Sequence, residues 1–463
     1  MQNSKHMEEK ETSQGPGGGI HIFWGSVFAI IGAAELFQRL YVLSGIPVWA
    51  VCFFAVSAAN FLKVPRVALL VARSERNLPA VSRAATVLNW TGIGVILVTI
   101  AFVYLGCGGR TDHVYSVPPE TGDGIETTDP GSAGVDPGPL SKAAGMIAGG
   151  RGFEGIESML VARSGRLVFE EYFGAGGRET LHPLYSATKS VTAALVGIAI
   201  DRGCLDGVGE PLHSVLPPAY GALLKGAGRD MTVEDILTGT SGLEWDELSL
   251  PPDDPANPWK AMMQSPDPFA FLLGRPIADT PGSRFSYNTG SVDLLALVIE
   301  HTCAVPADTL AGRHLLGPLG IERHRWSRSS AGFPLTGGSE GGLHLTSRGM
   351  LKIGLLFMRE GVWKGRPVLT GEWTSSVLEK RIEAGPGRWY GYLWWTRRLG
   401  CPGGDREDLY ARGYGGQEIH IIPSLELLVV FTGVNFEKEF AHTQLERLLT
   451  DYIIPAATVR AES

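Results

Sequence analysis

Residues 87–105 read VLNWTGIGVILVTIAFVYL, nineteen positions without one charged side chain. As a helix rising 1.5 Å per residue, such a run is about 28 Å long, close to the thickness of a bilayer's hydrocarbon core. A helix apolar on every side must be buried, and at this length lipid is its natural surrounding. Two earlier runs extend the pattern. IPVWAVCFFAVSAANFL at 46–62 meets the lower limit of about 17 residues for a span. IFWGSVFAIIGAAELF at 22–37 is shorter and carries Glu35 near its end. Residues 1–107 are therefore expected to form a membrane region in contact with lipid, with two or three transmembrane helices at about 22–37, 46–62 and 87–105. The repeated apolar runs do not fit a cleaved signal peptide, which has one short apolar segment. YLGCGG around Cys107 has only a faint likeness to a lipoprotein cleavage site, and the spans before it argue against that reading.

The loops set the orientation. Lys63, Arg66, Arg73, Arg76 and Arg83 lie between the second and third runs against one acid, Glu75. The short connection before the second run has only Arg39. Basic loops stay cytoplasmic, so whatever follows the third run is expected outside. The loop before the last span fixes this exit side whether two or three spans are real. The expected location is a multi-pass membrane protein with an extracytoplasmic domain.

Residues 108–140 are rich in Gly, Pro, Asp and Thr and lack apolar periodicity, which reads as a flexible linker. From 141 to about 458 the chain reads as one globular domain of the α/β (α+β) class. Residues 158–173 suggest a hairpin around RSGR. Helical patterns follow at 187–203, 231–243, 290–302 and 346–361. Two strand-like runs at 417–423 and 426–433 precede a last helix at 441–454. Strands at both ends and helices between suggest an antiparallel sheet assembled from both ends of the domain and flanked by helices.

Composition narrows the function. The net charge of −8 offers no basic face for nucleic acid. The five cysteines form no CxxC or Cys/His cluster, so neither a metal nor another cofactor is expected. What stands out is LYSATKS at 184–190. Ser186 and Lys189 are three residues apart, on one face of a helix beginning there. A serine at a helix N-terminus feels the positive end of the dipole, which stabilises a developing oxyanion. A lysine in a partly desolvated pocket can accept the hydroxyl proton. A single Ser-x-x-Lys is weak, since such a serine is more often a plain helix cap, but this is the only one in the chain. In PGSRFSYNTGS a turn delivers Tyr287, a phenol able to relay a proton. In ARGYGGQEIHIIP the small residues Gly413, Gly415 and Gly416 allow a strand edge to approach a ligand.

Taken in order, these three elements resemble the penicillin-recognising serine hydrolases. The stretch from about 141 to 454 is similar to the β-lactamase-related family: class C β-lactamases, D-alanyl-D-alanine carboxypeptidases, related esterases and nylon-oligomer hydrolases. MTVEDILTGTSGLEWDE, GGLHLTSRGMLKIGLLFMREGVWKG, WYGYLWW and the closing strands carry the resemblance beyond the motifs. It implies a β-lactamase-like fold, an α/β sandwich and a helical region with the site between them. It implies Ser186 as the acylated nucleophile, Lys189 as its base and Tyr287 as a second proton-transfer residue. The N–H groups of Ser186 and Tyr414 would form the oxyanion hole. The family's Tyr-x-Asn stands here as Tyr287-Asn288-Thr289, so either Thr289 replaces the amide or Asn288 is displaced by one. The family's Lys/His-Thr-Gly stands as Ala411-Arg412-Gly413. Thr289, Arg412 and Gly413 are thus the expected substrate-binding residues, with Arg412 offering charge to a substrate carboxylate.

The expected function is a membrane-anchored extracytoplasmic serine hydrolase acting through an acyl-enzyme. Its substrate would be an ester, a small amide or a D-amino-acid-containing small molecule or peptide. The alternative is a catalytically silent, penicillin-binding-like sensor. A reporter active only in the cytoplasm, fused to the C-terminus, should give no signal; strong signal would reject the orientation.

Overall fold

A computed structural model describes residues 115–252, 254–436 and 441–458. The apolar runs expected to span a membrane lie outside the described residues. Within those described, no single helix is long and apolar enough to cross a bilayer.

The hairpin forms as the pattern required. Strands β1 (Ile156–Arg163) and β2 (Arg166–Tyr172) pair antiparallel. Ser164 and Gly165 between them both have positive φ, 47° and 78°. That is the type I′ geometry, whose twist matches the flanking strands. The remaining strands of the main sheet come from the end of the chain: β3 (Ile382–Glu383), β4 (Arg388–Tyr390), β5 (Trp395–Leu399), β6 (Arg406–Gly413), β7 (Gln417–Ile422) and β8 (Leu427–Gly433). All eight are antiparallel, in the order β2-β1-β8-β7-β6-β5-β4-β3. The N-terminal hairpin docks on the last strand, so the sheet is built from both ends of the domain.

Helices cover both faces. On one side lie α1 (Pro137–Ala148) and, near the C-terminus, α4 (Ala441–Leu448), packed on Met159, Val161, Phe169, Val429 and Phe431. On the other lie α2 (Ala187–Asp201) and α3 (Ser347–Met358), against Leu160, Ile419, Ile421, Leu428 and Val430. Helix α2 is buried from Ala187 through Ala199, because it runs between the sheet and a helical region. That region includes short helices at Val233–Leu237, Pro258–Gln264 and Pro268–Leu273, and the long helix Thr289–Cys303. A disulfide joins Cys204, just beyond α2, to Cys303 at the end of that long helix, with Cα atoms 5.0 Å apart.

The composition of 108–140 suggests a tether, and from residue 115 onward the structure differs. Tyr115 donates a hydrogen bond to the Val168 carbonyl (3.0 Å) and stacks on Phe169. Arg348 forks onto Glu170 (2.8 and 2.7 Å) and reaches the Pro119 carbonyl (2.9 Å) and Thr121 Oγ1 (2.7 Å). Ile125 and Val135 are buried. A Gly/Pro-rich segment has no periodicity because it follows the surface in an irregular path, yet a few apolar and polar anchors hold it to the sheet.

The outward face of β5–β7 holds a buried charge network. Fully buried His420 lies between two carboxylates, with Nδ1 3.0 Å from Asp408 and Nε2 2.7 Å from Glu418. Arg397 donates to Asp408 (2.9 Å), and Arg412 to Glu418 (2.8 Å). Burial opposes charge on His420, but Asp408 and Glu418 outweigh it, and its pKa is raised. The folded state thus binds a proton that the unfolded chain releases at about pH 6.5. This contribution to stability is complete below that pH and is lost as pH rises through the higher folded value. Thermal midpoints of the protein should fall as pH rises above about 6.5. His420→Gln should flatten that slope and cost about 3 kcal/mol or more at pH 6. A wild-type midpoint that stays level across this range would reject the imidazolium assignment.

Candidate active site

The chain enters α2 through a tight, strained turn. Leu184 N–H bonds to the Leu343 carbonyl (2.8 Å) and Tyr185 N–H to that of Gly341 (2.9 Å). Tyr185 has φ 46°, a costly conformation for a residue with a side chain, held here by its surroundings. Two glycines make that possible. A β-carbon on Gly338 would overlap the Tyr185 carbonyl, and one on Gly413 would overlap the Leu184 carbonyl. The turn presents Ser186 at the start of α2. Its hydroxyl does not cap the helix, so it is free for another partner.

That partner is Lys189, which is 2% exposed. Its Nζ lies 2.9 Å from Ser186 Oγ, 3.0 Å from Thr289 Oγ1 and 2.6 Å from the Gly337 carbonyl. The Tyr287 ring stands beside it, with its centroid 4.8 Å from Nζ. Tyr287 stacks on Trp395, and its hydroxyl has no hydrogen bond among the described residues. A serine hydroxyl touching a buried amine, with a free phenol alongside, can carry a proton from nucleophile to leaving group.

Asn288 and Thr289 have different partners. Asn288 Oδ1 accepts from Ser291 N–H (2.8 Å) and caps the long helix. Thr289 is the residue that reaches Lys189. Behind it stands Glu247, which sequence reading passed over. Its Oε1 accepts from Thr289 Oγ1 (2.5 Å), and its Oε2 accepts from Thr289 N–H (2.9 Å) and Trp245 Nε1 (2.7 Å). Asp293 is a second omission. Its carboxylate accepts from Gly337 N–H (2.5 Å) and Ser339 Oγ (2.8 Å), fixing the segment whose carbonyl meets Lys189. Burial pushes the Asp293 pKa up to about 6 against these donors. Glu247 sits in an irregular loop and Asp293 on a mostly apolar helix. Neither has a spacing that would flag it, although Glu247 lies inside the quoted TSGLEWDE.

Gly413 ends β6 against the Ser186 turn, and Tyr414 follows it. The N–H groups of Ser186 and Tyr414 have no acceptor among the described residues, so both are available to an oxyanion. The Tyr414 ring meets Tyr185 and Phe436, with centroids 5.6 and 5.4 Å away. Arg412 is not brought to this site. Side chains alternate along a strand, so Ala411 and Gly413 face α2 while Arg412 faces away. It pairs across the strands with Glu418 in the network on the far face of the sheet. Among the described residues no cluster of His, Cys, Asp and Glu is arranged to hold a metal ion.

The Beta-lactamase family model matches residues 145–448, well over half of the chain. A 6-aminohexanoate-dimer hydrolase of Paenarthrobacter ureafaciens is 25% identical over 294 residues, 59% of this chain and 71% of that protein. A structure assigned as a 6-aminohexanoate-dimer hydrolase from Bacillus anthracis is similar with a TM-score of 0.57 at 18% identity, covering 66% of this chain and 81% of that one. A penicillin binding protein from Bacillus halodurans gives 0.51 at 20% identity, covering 64% and 97%. These structural likenesses establish a common fold.

Because Gly413 touches the turn that carries Ser186, Gly413→Ala should displace that turn. A shift of about 1 Å costs on the order of 10²-fold in rate. Labelling by a fluorophosphonate should slow by about that factor while the far-ultraviolet circular dichroism is unchanged. An unaltered labelling rate would show that the contact does not set the site's geometry.

Proposed function

The chain belongs to the Beta-lactamase family and is a serine hydrolase, and from that premise we propose that it works through an acyl-enzyme on Ser186. The observation that carries this is the direct bond between Lys189 Nζ and Ser186 Oγ, in a buried setting that also brings Thr289 Oγ1 and the Gly337 carbonyl to Nζ. Lys189 takes the serine proton as Oγ attacks the substrate carbonyl. The N–H groups of Ser186 and Tyr414 receive the negative charge. The Tyr287 phenol, whose ring stands beside Lys189, delivers its proton to the departing group and regains one from the protonated Lys189. Water then attacks the acyl-enzyme with the same residues acting in reverse.

The substrate is an ester or a small amide, a reading supported by the relative named as a 6-aminohexanoate-dimer hydrolase. Arg412 is committed to Glu418, which argues against its serving as a reader of a substrate carboxylate. Two features favour a membrane-anchored, extracytoplasmic enzyme. One is the apolar N-terminal region with its basic loop at 63–83. The other is the Cys204–Cys303 disulfide, a bond that persists in oxidising compartments.

A fluorophosphonate probe should label the protein once, and Ser186→Ala should remove the label. Lys189→Ala should slow acylation by about 10²- to 10⁴-fold with the fold intact. Equal labelling of Ser186→Ala, or near-normal acylation of Lys189→Ala, would reject this assignment.

A further inference from the structure

A neutral amine has two hydrogens and one lone pair, and as a base for Ser186 it must aim the lone pair at Oγ. Its other neighbours decide whether it does. The Gly337 carbonyl can only accept, so it takes one hydrogen. The Thr289 hydroxyl can accept or donate. If it donated to Nζ, the lone pair would be used there and an N–H would face Ser186 instead.

Glu247 removes that choice. Its Oε1 lies 2.5 Å from Thr289 Oγ1, and a carboxylate can only accept, so the Thr289 hydrogen is committed to it. The carboxylate is itself held in place, because Oε2 accepts from Trp245 Nε1 and Thr289 N–H. Thr289 Oγ1 is left as an acceptor towards Lys189, 3.0 Å away. Both amine hydrogens then have fixed destinations, and the lone pair remains for the serine.

We propose that Glu247 is a positioning residue for acylation: through the Thr289 hydroxyl it aims the Lys189 lone pair at Ser186. Its carboxylate bonds to Thr289 and Trp245 and not to Ser186 or Lys189. The inference rests on reading Ser186 and Lys189 as nucleophile and base. In the step it serves, the Ser186 hydroxyl proton passes to Nζ while Oγ bonds to the acyl carbon. That proton passes on to the Tyr287 phenol, whose own proton leaves with the departing group when the acyl bond breaks.

The test follows the rate of fluorophosphonate labelling from pH 5 to 10 in wild type, Glu247→Gln, Thr289→Val and the double variant. A glutamine at 247 keeps the size and one acceptor but can donate to Thr289, freeing that hydroxyl to donate to Lys189. The plateau rate in Glu247→Gln should fall about 10- to 100-fold, the lower part of the general acid–base range. In the Thr289→Val background the same change should cost less than about twofold, since the hydroxyl that carries the effect is absent. Thr289→Ser should label at least ten times faster than Thr289→Val. An equal loss in both backgrounds, or Thr289→Ser labelling no faster than Thr289→Val, overturns the inference and leaves Glu247 as a support for the helix start. Wild type that is not labelled at Ser186 overturns the parent reading, and this one with it.

Discussion

The Lys189 side chain is the point on which three separate parts of the domain converge. Its Nζ bonds to Ser186 on α2, to Thr289 at the start of the long helix and to the Gly337 carbonyl. A buried amine must find partners for its hydrogens, since an unmet polar group in the interior costs more than a made hydrogen bond returns. The surrounding structure is arranged to supply them. Asp293 fixes the 337 segment, Glu247 fixes Thr289, and the strained turn at Tyr185 delivers Ser186. Conformational strain and buried charge, both unfavourable by themselves, are concentrated within one small volume.

That concentration explains how much could be read from the sequence. The hairpin at 156–172, the buried helix after Ser186 and the closing strands carry strong periodic patterns, and they fold where those patterns lie. Ser186, Lys189 and Tyr287 were recognisable as an ordered set of motifs. Their supports were not. Glu247 reaches the site from a loop without regular structure. Asp293 looks like an isolated acid in an apolar helix. Their roles depend on contacts across 42 and 44 residues of sequence, to Thr289 and to Gly337. The segment from 115 to 140 misled for a related reason: irregular backbone can be firmly held without leaving a periodic trace.

Arg412 gives a different lesson, since strand parity was available from the start. Once Gly413 is placed against the nucleophile's turn, its neighbour must point through the sheet. The positive charge expected at a substrate serves a buried network of Glu418, His420 and Asp408 instead. One face of the sheet therefore carries the chemistry, and the opposite face carries the network of Asp408, Glu418 and His420.

The disulfide between Cys204 and Cys303 joins the far ends of two helices whose near ends meet at Lys189 and Thr289. These helices run side by side as the rails of a ladder whose end rungs are one covalent bond and one hydrogen bond. The bridge encloses a sequence separation of 99 residues, and closing a loop of that size restricts the unfolded chain by on the order of 4 kcal/mol. Nearly all of the helical region beside the site lies within this loop. That loop also carries Glu247, Tyr287 and Thr289, so the residues that border the approach to Ser186 and those that act on it share one covalently closed segment. Changes in what the enzyme accepts and changes in how it reacts therefore arise in the same closed segment of chain.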